Sequence, residues 1–100
     1  MAKIRVTVVK RTFNQELADE YCGPGASICD SFSDGQEYVI DGLSQPAGFC
    51  AWAWNDIHKA VLALNSGGSF SPWMKADNTL IACCSDGIRP VIFRIERLEA

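Results

Sequence analysis

The chain begins with a regular alternation of apolar and polar residues. Between Lys3 and Lys10, the branched residues Ile4, Val6 and Val8 occupy every second position. Side chains two residues apart on a β-strand point to the same side of a sheet. The alternation therefore predicts a first strand that presents three branched side chains on one face.

A second pattern, with the spacing of an α-helix, runs through residues 49–65. Its main apolar positions are Trp54, Ile57, Val61 and Leu64, and no Gly or Pro interrupts them. This spacing puts the four side chains on one face of a helix. The two glycines of the segment at 66–68 then favour a helix end. We therefore predict the main helix over residues 49–65.

Shorter segments complete the predicted fold. Residues 14–21 are expected to form a short helix that the Asn14 side chain caps. Three further strands are predicted from branched and aromatic residues at 36–41, 79–84 and 91–98. The turn residues at 85–90 favour a C-terminal hairpin. The order predicts one small α+β domain over residues 1–100, with one main helix packed on a mainly antiparallel four-stranded sheet.

Composition and charge narrow the classes of partner. A chain of 100 residues, 48% of them hydrophobic, suits one domain with a core of its own. Nine Lys and Arg against twelve Asp and Glu give a net charge of −3, which opposes binding to a phosphate backbone. No run approaches the roughly 18 apolar residues of a spanning helix, and the start lacks a signal-peptide pattern. We expect a cytoplasmic protein that binds neither nucleic acid nor a membrane.

Five cysteines are the main candidates for chemistry. They are Cys22, Cys29, Cys50, Cys83 and Cys84. A reducing cytoplasm keeps such residues as thiols or metal ligands. There is no C-x-x-C motif, so the sequence contains neither a zinc knuckle nor a standard ferredoxin loop. Cys22 begins a Cys-Gly-Pro-Gly segment that lacks the second thiol of a redox loop.

Three of the thiols fall at predicted ends of loops or elements. Cys29 lies in the loop before the second strand, Cys50 at the start of the main helix, and Cys84 just before the hairpin turn. We predict that these three meet at one end of the sheet as a thiolate site for redox chemistry or for zinc or an iron-sulfur cluster. Cys22, Cys83 and His58 are candidates for further ligands.

Two considerations bear on this hypothesis. Neighbouring residues on a strand face opposite sides, so Cys83 is expected to point away from Cys84. Cysteine also packs as a small hydrophobic residue, so the alternative is that all five thiols are core residues without a chemical function.

Other residues suggest binding rather than thiol chemistry. Trp52 and Trp54 cannot share one helix face, so we expect Trp54 in the core and Trp52 at a pocket or at a contact between identical subunits. With Trp73 they define a second hypothesis, a noncatalytic module that binds a ligand or a second copy through an aromatic pocket. Asp86 and Arg89 are expected either to bind an anionic ligand or to form a local turn with an ion pair.

Evidence for an enzyme is weaker, because no base for a cysteine nucleophile is visible. The lone histidine, His58, is expected to be partly exposed on the main helix. It lies about 12 Å along that helix from Cys50, too far to activate the thiol directly. Arg94 and Arg97, on the last strand, are expected to form a solvated edge.

Two segments carry a likeness to known proteins. They are Phe49-Cys50-Ala51-Trp52-Ala53-Trp54 and Cys83-Cys84-Ser85-Asp86-Gly87-Ile88-Arg89-Pro90-Val91. In these segments, and more loosely over nearly the whole chain, the sequence resembles a family of small bacterial and archaeal proteins that occur as single short domains or tandem repeats. The resemblance implies cysteines at the positions of Cys29, Cys50 and Cys83-Cys84. The family has no established activity, so the resemblance implies no catalytic residue.

Overall fold

The computed structural model describes residues 3–98, which form four strands and two helices. These elements are β1 (Lys3–Arg11), α1 (Gln15–Tyr21), β2 (Glu37–Ile40), α2 (Ala51–Asn65), β3 (Thr79–Cys83) and β4 (Val91–Leu98). The strands form one antiparallel sheet in the order β2-β1-β4-β3. The predicted α+β fold, with one main helix and a C-terminal hairpin, is confirmed.

Helix α2 covers one face of this sheet, and the two periodic patterns meet there. The strand residues fully buried beneath it are Ile4, Val6, Val8, Val91, Phe93 and Ile95. The helix contributes Ile57, Val61 and Leu64, which are equally buried. The helix lies over β1, β3 and β4. Burial of these branched and aromatic side chains between two layers supplies the main driving force for folding.

The core beside β2 is filled by an aromatic residue from a loop. Phe32 is only 3% exposed and packs edge-on against Phe49 and Phe93, with ring centroids 5.1 and 5.2 Å away. Tyr38 of β2 packs on Phe49 at 4.8 Å. The Gly- and Ser-rich segment around Phe32 predicts a loop, which is observed, but its composition does not reveal that the loop supplies a core residue.

The opposite face of the sheet is not covered by any described helix. This uncovered sheet face carries Lys3, Arg5, Thr7, Lys10, Glu37, Val39, Thr79, Ile81, Cys83, Ile92, Arg94, Glu96 and Leu98. Near its centre, the Nε atoms of Arg5 and Arg94 both donate to Oε1 of Glu96, at 3.2 and 3.1 Å. Antiparallel sheets commonly leave one face polar in this way.

The short helix α1 begins as predicted but is capped differently. Asn14 occupies the N-cap position, yet its side chain makes no capping hydrogen bond. Its Nδ2 instead donates to the carbonyl of Gly87 at 2.6 Å. The prediction that the Asn14 side chain caps α1 is therefore wrong, because a more distant acceptor in the hairpin connection takes that side chain.

Both ends of α2 are defined by local backbone geometry. The helix begins at Ala51 rather than at residue 49, since Phe49 still belongs to a turn in which its N–H donates to the Pro46 carbonyl at 3.2 Å. At the other end, Gly67 adopts a φ of +88°, and the Gly68 N–H donates to the Ala63 carbonyl at 2.9 Å. The predicted glycine stop is confirmed.

Arg97 secures the end of α2 from the neighbouring strand. Its Nη1 atom donates to the carbonyls of Leu64, at 2.8 Å, and Gly68, at 2.9 Å. Strand β4 lies between β1 and β3, so the prediction that Arg94 and Arg97 form a solvated edge is wrong. The alternation within a strand shows which residues share a face, but not whether the strand is central. Within residues 3–98, no helix is long and apolar enough to cross a membrane.

We predict that Arg97→Ala lowers the free energy of unfolding by about 1 to 3 kcal/mol, because two carbonyls at the end of α2 lose a charged donor. Urea denaturation followed by circular dichroism measures the change. Lys75→Ala, at an exposed loop position, is the control and should leave the midpoint unchanged. Equal midpoints for the two variants would contradict the role given to Arg97.

Candidate functional site

Cys29, Cys50, Cys83 and Cys84 lie around one end of the sheet, which we call the cysteine end. There, Arg11 at the end of β1 pairs with Val91 at the start of β4, and Cys83 ends β3 beside them. Helix α2 begins at the same end, because Trp52 Nε1 donates to Ser85 Oγ at 3.0 Å. The Ser85 N–H in turn donates to Asp56 Oδ2 at 2.7 Å. These two bonds tie the first turns of α2 to the residue that follows Cys84.

The adjacent residues Cys83 and Cys84 point to different environments, as predicted. Cys84 is 7% exposed and belongs to the core, whereas Cys83 is exposed on the uncovered sheet face. The N–H of Val91 donates to Cys84 Sγ at 3.3 Å, and the Cys84 N–H donates to the Val91 carbonyl at 3.0 Å. The sulfur of Cys84 is thus fixed by packing and by one backbone amide.

The other two predicted site cysteines are half-buried. Cys50 is the N-cap residue of α2, and its carbonyl accepts the Trp54 N–H at 2.9 Å. Cys29 lies in the loop before β2, and its carbonyl accepts Arg11 Nη1 at 3.0 Å. Both side chains pack against the hydrophobic cluster that contains Cys84. The fold therefore brings Cys29, Cys50 and Cys84 to the same end of the sheet and the same core.

The described residues do not provide a ready metal site. All five cysteines are free thiols. Between residues 3 and 98, no group of three or more His, Cys, Asp or Glu side chains is arranged to hold a metal ion. Zinc requires three or four ligands within bonding distance of one point, and an iron-sulfur cluster usually requires four cysteines.

Cys22 borders a cavity between the hairpin connection and the loop that leads to Cys29. The cavity measures about 250 Å³, and Ser27, Asp86, Ile88 and Arg89 also line it. Cys22 ends α1, and its N–H donates to the Ala18 carbonyl at 2.9 Å.

Asp86 and Arg89 form the local turn and ion pair that the sequence offered as one alternative. Asp86 Oδ1 accepts the N–H groups of Ile88 and Arg89 at 2.9 and 3.0 Å, and Oδ2 accepts Arg89 Nε at 3.0 Å. The backbone N–H of Arg89 is the main cause that lowers the pKa of Asp86, and burial only partly opposes it. The hydrogen bond and charge of the Asp86 carboxylate raise the pKa of Arg89.

The tryptophans do not form one pocket. Trp54 is half-buried, with its rings 5.9 Å from Phe49 and 5.3 Å from His58. Trp52 is 64% exposed in the first turn of α2, whereas Trp73 is 72% exposed in the connection that follows the last turn. The two exposed indoles belong to segments at the start of α2 and beyond its end. His58 is half-buried beside Trp54 and follows Cys50 by eight residues in the sequence.

Two residues that position the site were not apparent in the sequence. Arg11 anchors the cysteine-bearing loop at two points, through the Cys29 carbonyl and through Asp34 Oδ1, which its Nε reaches at 3.0 Å. Phe32 anchors the same loop in the core. Nothing in the spacing of the sequence connects a strand residue at position 11 with a loop at 29–34, because the contact arises only when the sheet has formed.

Comparison with protein-family models, with curated proteins and with solved structures found no match to this chain. The likeness in the segments around Cys50 and Cys83-Cys84 remains a prediction. The functional argument therefore rests on the geometry of the described residues.

We predict that Asp86→Asn destabilises the protein by about 1 kcal/mol near neutral pH. Asn keeps an oxygen for the two backbone N–H groups but removes the charge that pairs with Arg89. Because the folded pKa of Asp86 lies below the ordinary value of 3.8, the contribution of its charge is complete above that pH. It is lost as the pH falls through the folded pKa.

Urea titrations of both proteins at neutral pH and at successively lower pH values test this prediction. The difference in unfolding free energy should shrink as the pH falls below the ordinary carboxyl range. A difference that stays constant with pH would contradict it.

Proposed function

We propose that this protein is a cytoplasmic thiol-redox protein in which Cys29 and Cys50 form a reversible disulfide. The observation that carries the proposal is that two free, half-buried thiols pack against one core at the cysteine end. Half-buried cysteines with positive charge nearby are typical of redox sites, whereas fully buried ones are inert. Cys84 is the third thiol at this end, but its burial makes it a packing residue in this proposal.

The aromatic contacts support the pairing of these two cysteines. Phe32 follows Cys29 closely in the chain, and Phe49 directly precedes Cys50. The rings of Phe32 and Phe49 lie 5.1 Å apart between centroids. The short segments that carry the two cysteines therefore share one packing contact, which limits how far apart the thiols can move.

A positive group lies near each of the two positions. Cys50 lies at the N-terminus of α2, where the helix dipole has its positive end. Arg11 donates to the Cys29 carbonyl, and Arg89 lies in the hairpin connection at the same end of the sheet. Asp34 and Asp86 each pair with one of these arginines, so the positive charge near Cys29 is partly balanced.

The proposed reaction uses a hydroperoxide as the oxidant. The Cys50 thiolate attacks the peroxide, forming a sulfur-oxygen bond while the oxygen-oxygen bond breaks and the alcohol or water leaves after protonation. The Cys29 thiolate then attacks the sulfenic sulfur, forming the disulfide and releasing water after protonation. Two electrons pass from the two thiols to the peroxide. A cellular thiol returns the pair to its reduced form by disulfide exchange.

We predict that mild treatment with hydrogen peroxide links Cys29 to Cys50 within one chain. Peptide mapping under nonreducing conditions identifies the linked pair, and a reductant should reverse it. Cys50→Ser should abolish the linkage, while Cys83→Ser, which removes the exposed thiol, should leave it intact.

Two results would overturn the proposal. One is that Cys29 and Cys50 stay reduced while Cys83 oxidises. The other is that the linkage forms equally fast in urea-unfolded protein, since the fold would then contribute nothing to the pairing.

A second candidate function is noncatalytic binding through Trp52, to a ligand or to an identical subunit. The observation that favours it is that Trp52 is 64% exposed while its indole nitrogen is held by Ser85. An exposed aromatic side chain in a fixed orientation is suited to a contact surface. Light scattering of the wild type and of Trp52→Ala tests the subunit contact, and a particle mass unaltered by the substitution counts against it.

A further inference from the structure

Helix α1 contacts no other helix or strand among the described residues, and Asn14 at its start bonds to Gly87 and Ile88 of the hairpin connection. Among residues 3–98, no Cα of α1 lies within 8 Å of a Cα in another helix or strand. Only Ala18 of its seven residues is buried. An isolated helix of this length is unstable in water, because the cost of nucleation exceeds the gain from so few hydrogen bonds. The helix would gain stability from a surface that covers it.

The exposed side of α1 combines an apolar pair with negative charge. Leu17 and Tyr21 are one helical turn apart, so they lie on the same side, and they are 44% and 74% exposed. Glu16, Asp19 and Glu20 give the helix three acidic residues, and its sequence contains no basic residue.

The uncovered sheet face offers the complementary chemistry. Its apolar members include Val39, 55% exposed, and Ile81, 42% exposed. Its charged members are Lys3, Arg5, Lys10, Arg94, Glu37 and Glu96. Four positive and two negative side chains give this face a charge of 4 − 2 = +2, whereas the chain carries −3. The remainder of the chain therefore carries −3 − 2 = −5.

We propose that α1 of one copy docks on the uncovered sheet face of a second copy. Leu17 and Tyr21 would cover one of the exposed apolar side chains, Val39 or Ile81, which lie on opposite edge strands. Glu16 and Glu20 would meet one of the two lysines, since Lys3 and Lys10 lie near opposite ends of β1. Both surfaces belong to the same chain, so two copies can exchange their helices reciprocally in a closed, symmetric dimer. This contact is distinct from the one through Trp52, and it does not depend on thiol chemistry.

Charge reversal on each surface tests this proposal. Lys3→Glu with Lys10→Glu reverses charges on the sheet face, and Glu16→Lys with Glu20→Lys reverses them on the helix. We expect a wild-type dimer, at least about tenfold weaker dimerisation for each double variant, and recovery when all four substitutions are combined. Sedimentation velocity over a range of concentrations gives the masses, with a reductant present so that no intermolecular disulfide contributes.

Lys59→Glu with Lys75→Glu is the matched control. These two exposed lysines lie on α2 and in the loop after it, away from the uncovered sheet face. The control has the same net charge as the sheet-face variant, −3 − 4 = −7, and should dimerise like the wild type. Circular dichroism verifies that each variant is folded.

The proposal is overturned if the wild type is a monomer throughout the concentration range, or if the control weakens the dimer as much as the sheet-face variant. Failure of the fourfold variant to regain the dimer also overturns it. Loss of the dimer in Trp52→Ala alone would assign assembly to the exposed indole instead. Oxidation of Cys29 and Cys50 is measured separately, so either proposal can fail without the other.

Discussion

The fold depends on the attachment of one helix to one face of one sheet. Because α2 is the only long helix among the described residues, its apolar side must meet the branched side chains of β1 and β4 for a dry core to exist. Polar contacts fix both of its ends: Ser85 holds Trp52 at the start, and Arg97 holds Leu64 and Gly68 at the end. The helix direction is therefore set by the strands on either side of the hairpin connection.

This attachment determines where the thiols lie. The hydrogen bond from the Ser85 N–H to Asp56 holds the start of α2 at the end of β3. Cys50, the N-cap residue of α2, therefore lies at the cysteine end with Cys84. The loop that carries Cys29 is brought there by Arg11 and Phe32. Alternation along the strand separates Cys83 from Cys84, so one thiol faces solvent while its neighbour is buried. The accessible and buried cysteines thus differ because adjacent residues of an extended chain face opposite sides of the sheet.

The parts of the fold that could be predicted from the sequence are those encoded by short-range spacing. Alternation fixes the inward residues of β1 and β4, and helical spacing fixes the buried side of α2. Strand order is not encoded in this way, which is why Arg97 appeared to belong to an edge. Phe32 could not be predicted as a core residue, because a single aromatic among glycines and serines has no periodicity. The gathering of three thiols at one end followed from element order, whereas their exposure and partners required the folded chain.

The uncovered sheet face buries or half-buries polar and charged side chains without a described helix above it. Thr7 lies near the centre of this face and is only 6% exposed, and its Oγ1 has no hydrogen-bond partner. Arg5 and Arg94 flank it and both bind Glu96. Burial raises the pKa of Glu96, but the hydrogen bonds and charges of Arg5 and Arg94 together lower it by more, so the net shift is downward. One carboxylate shared by two guanidinium groups leaves an unbalanced positive charge in a chain that is acidic elsewhere. Long arginine stems can shield a sheet surface from water. The positive charge that remains complements the acidic residues of α1, a helix that contacts no other described helix or strand.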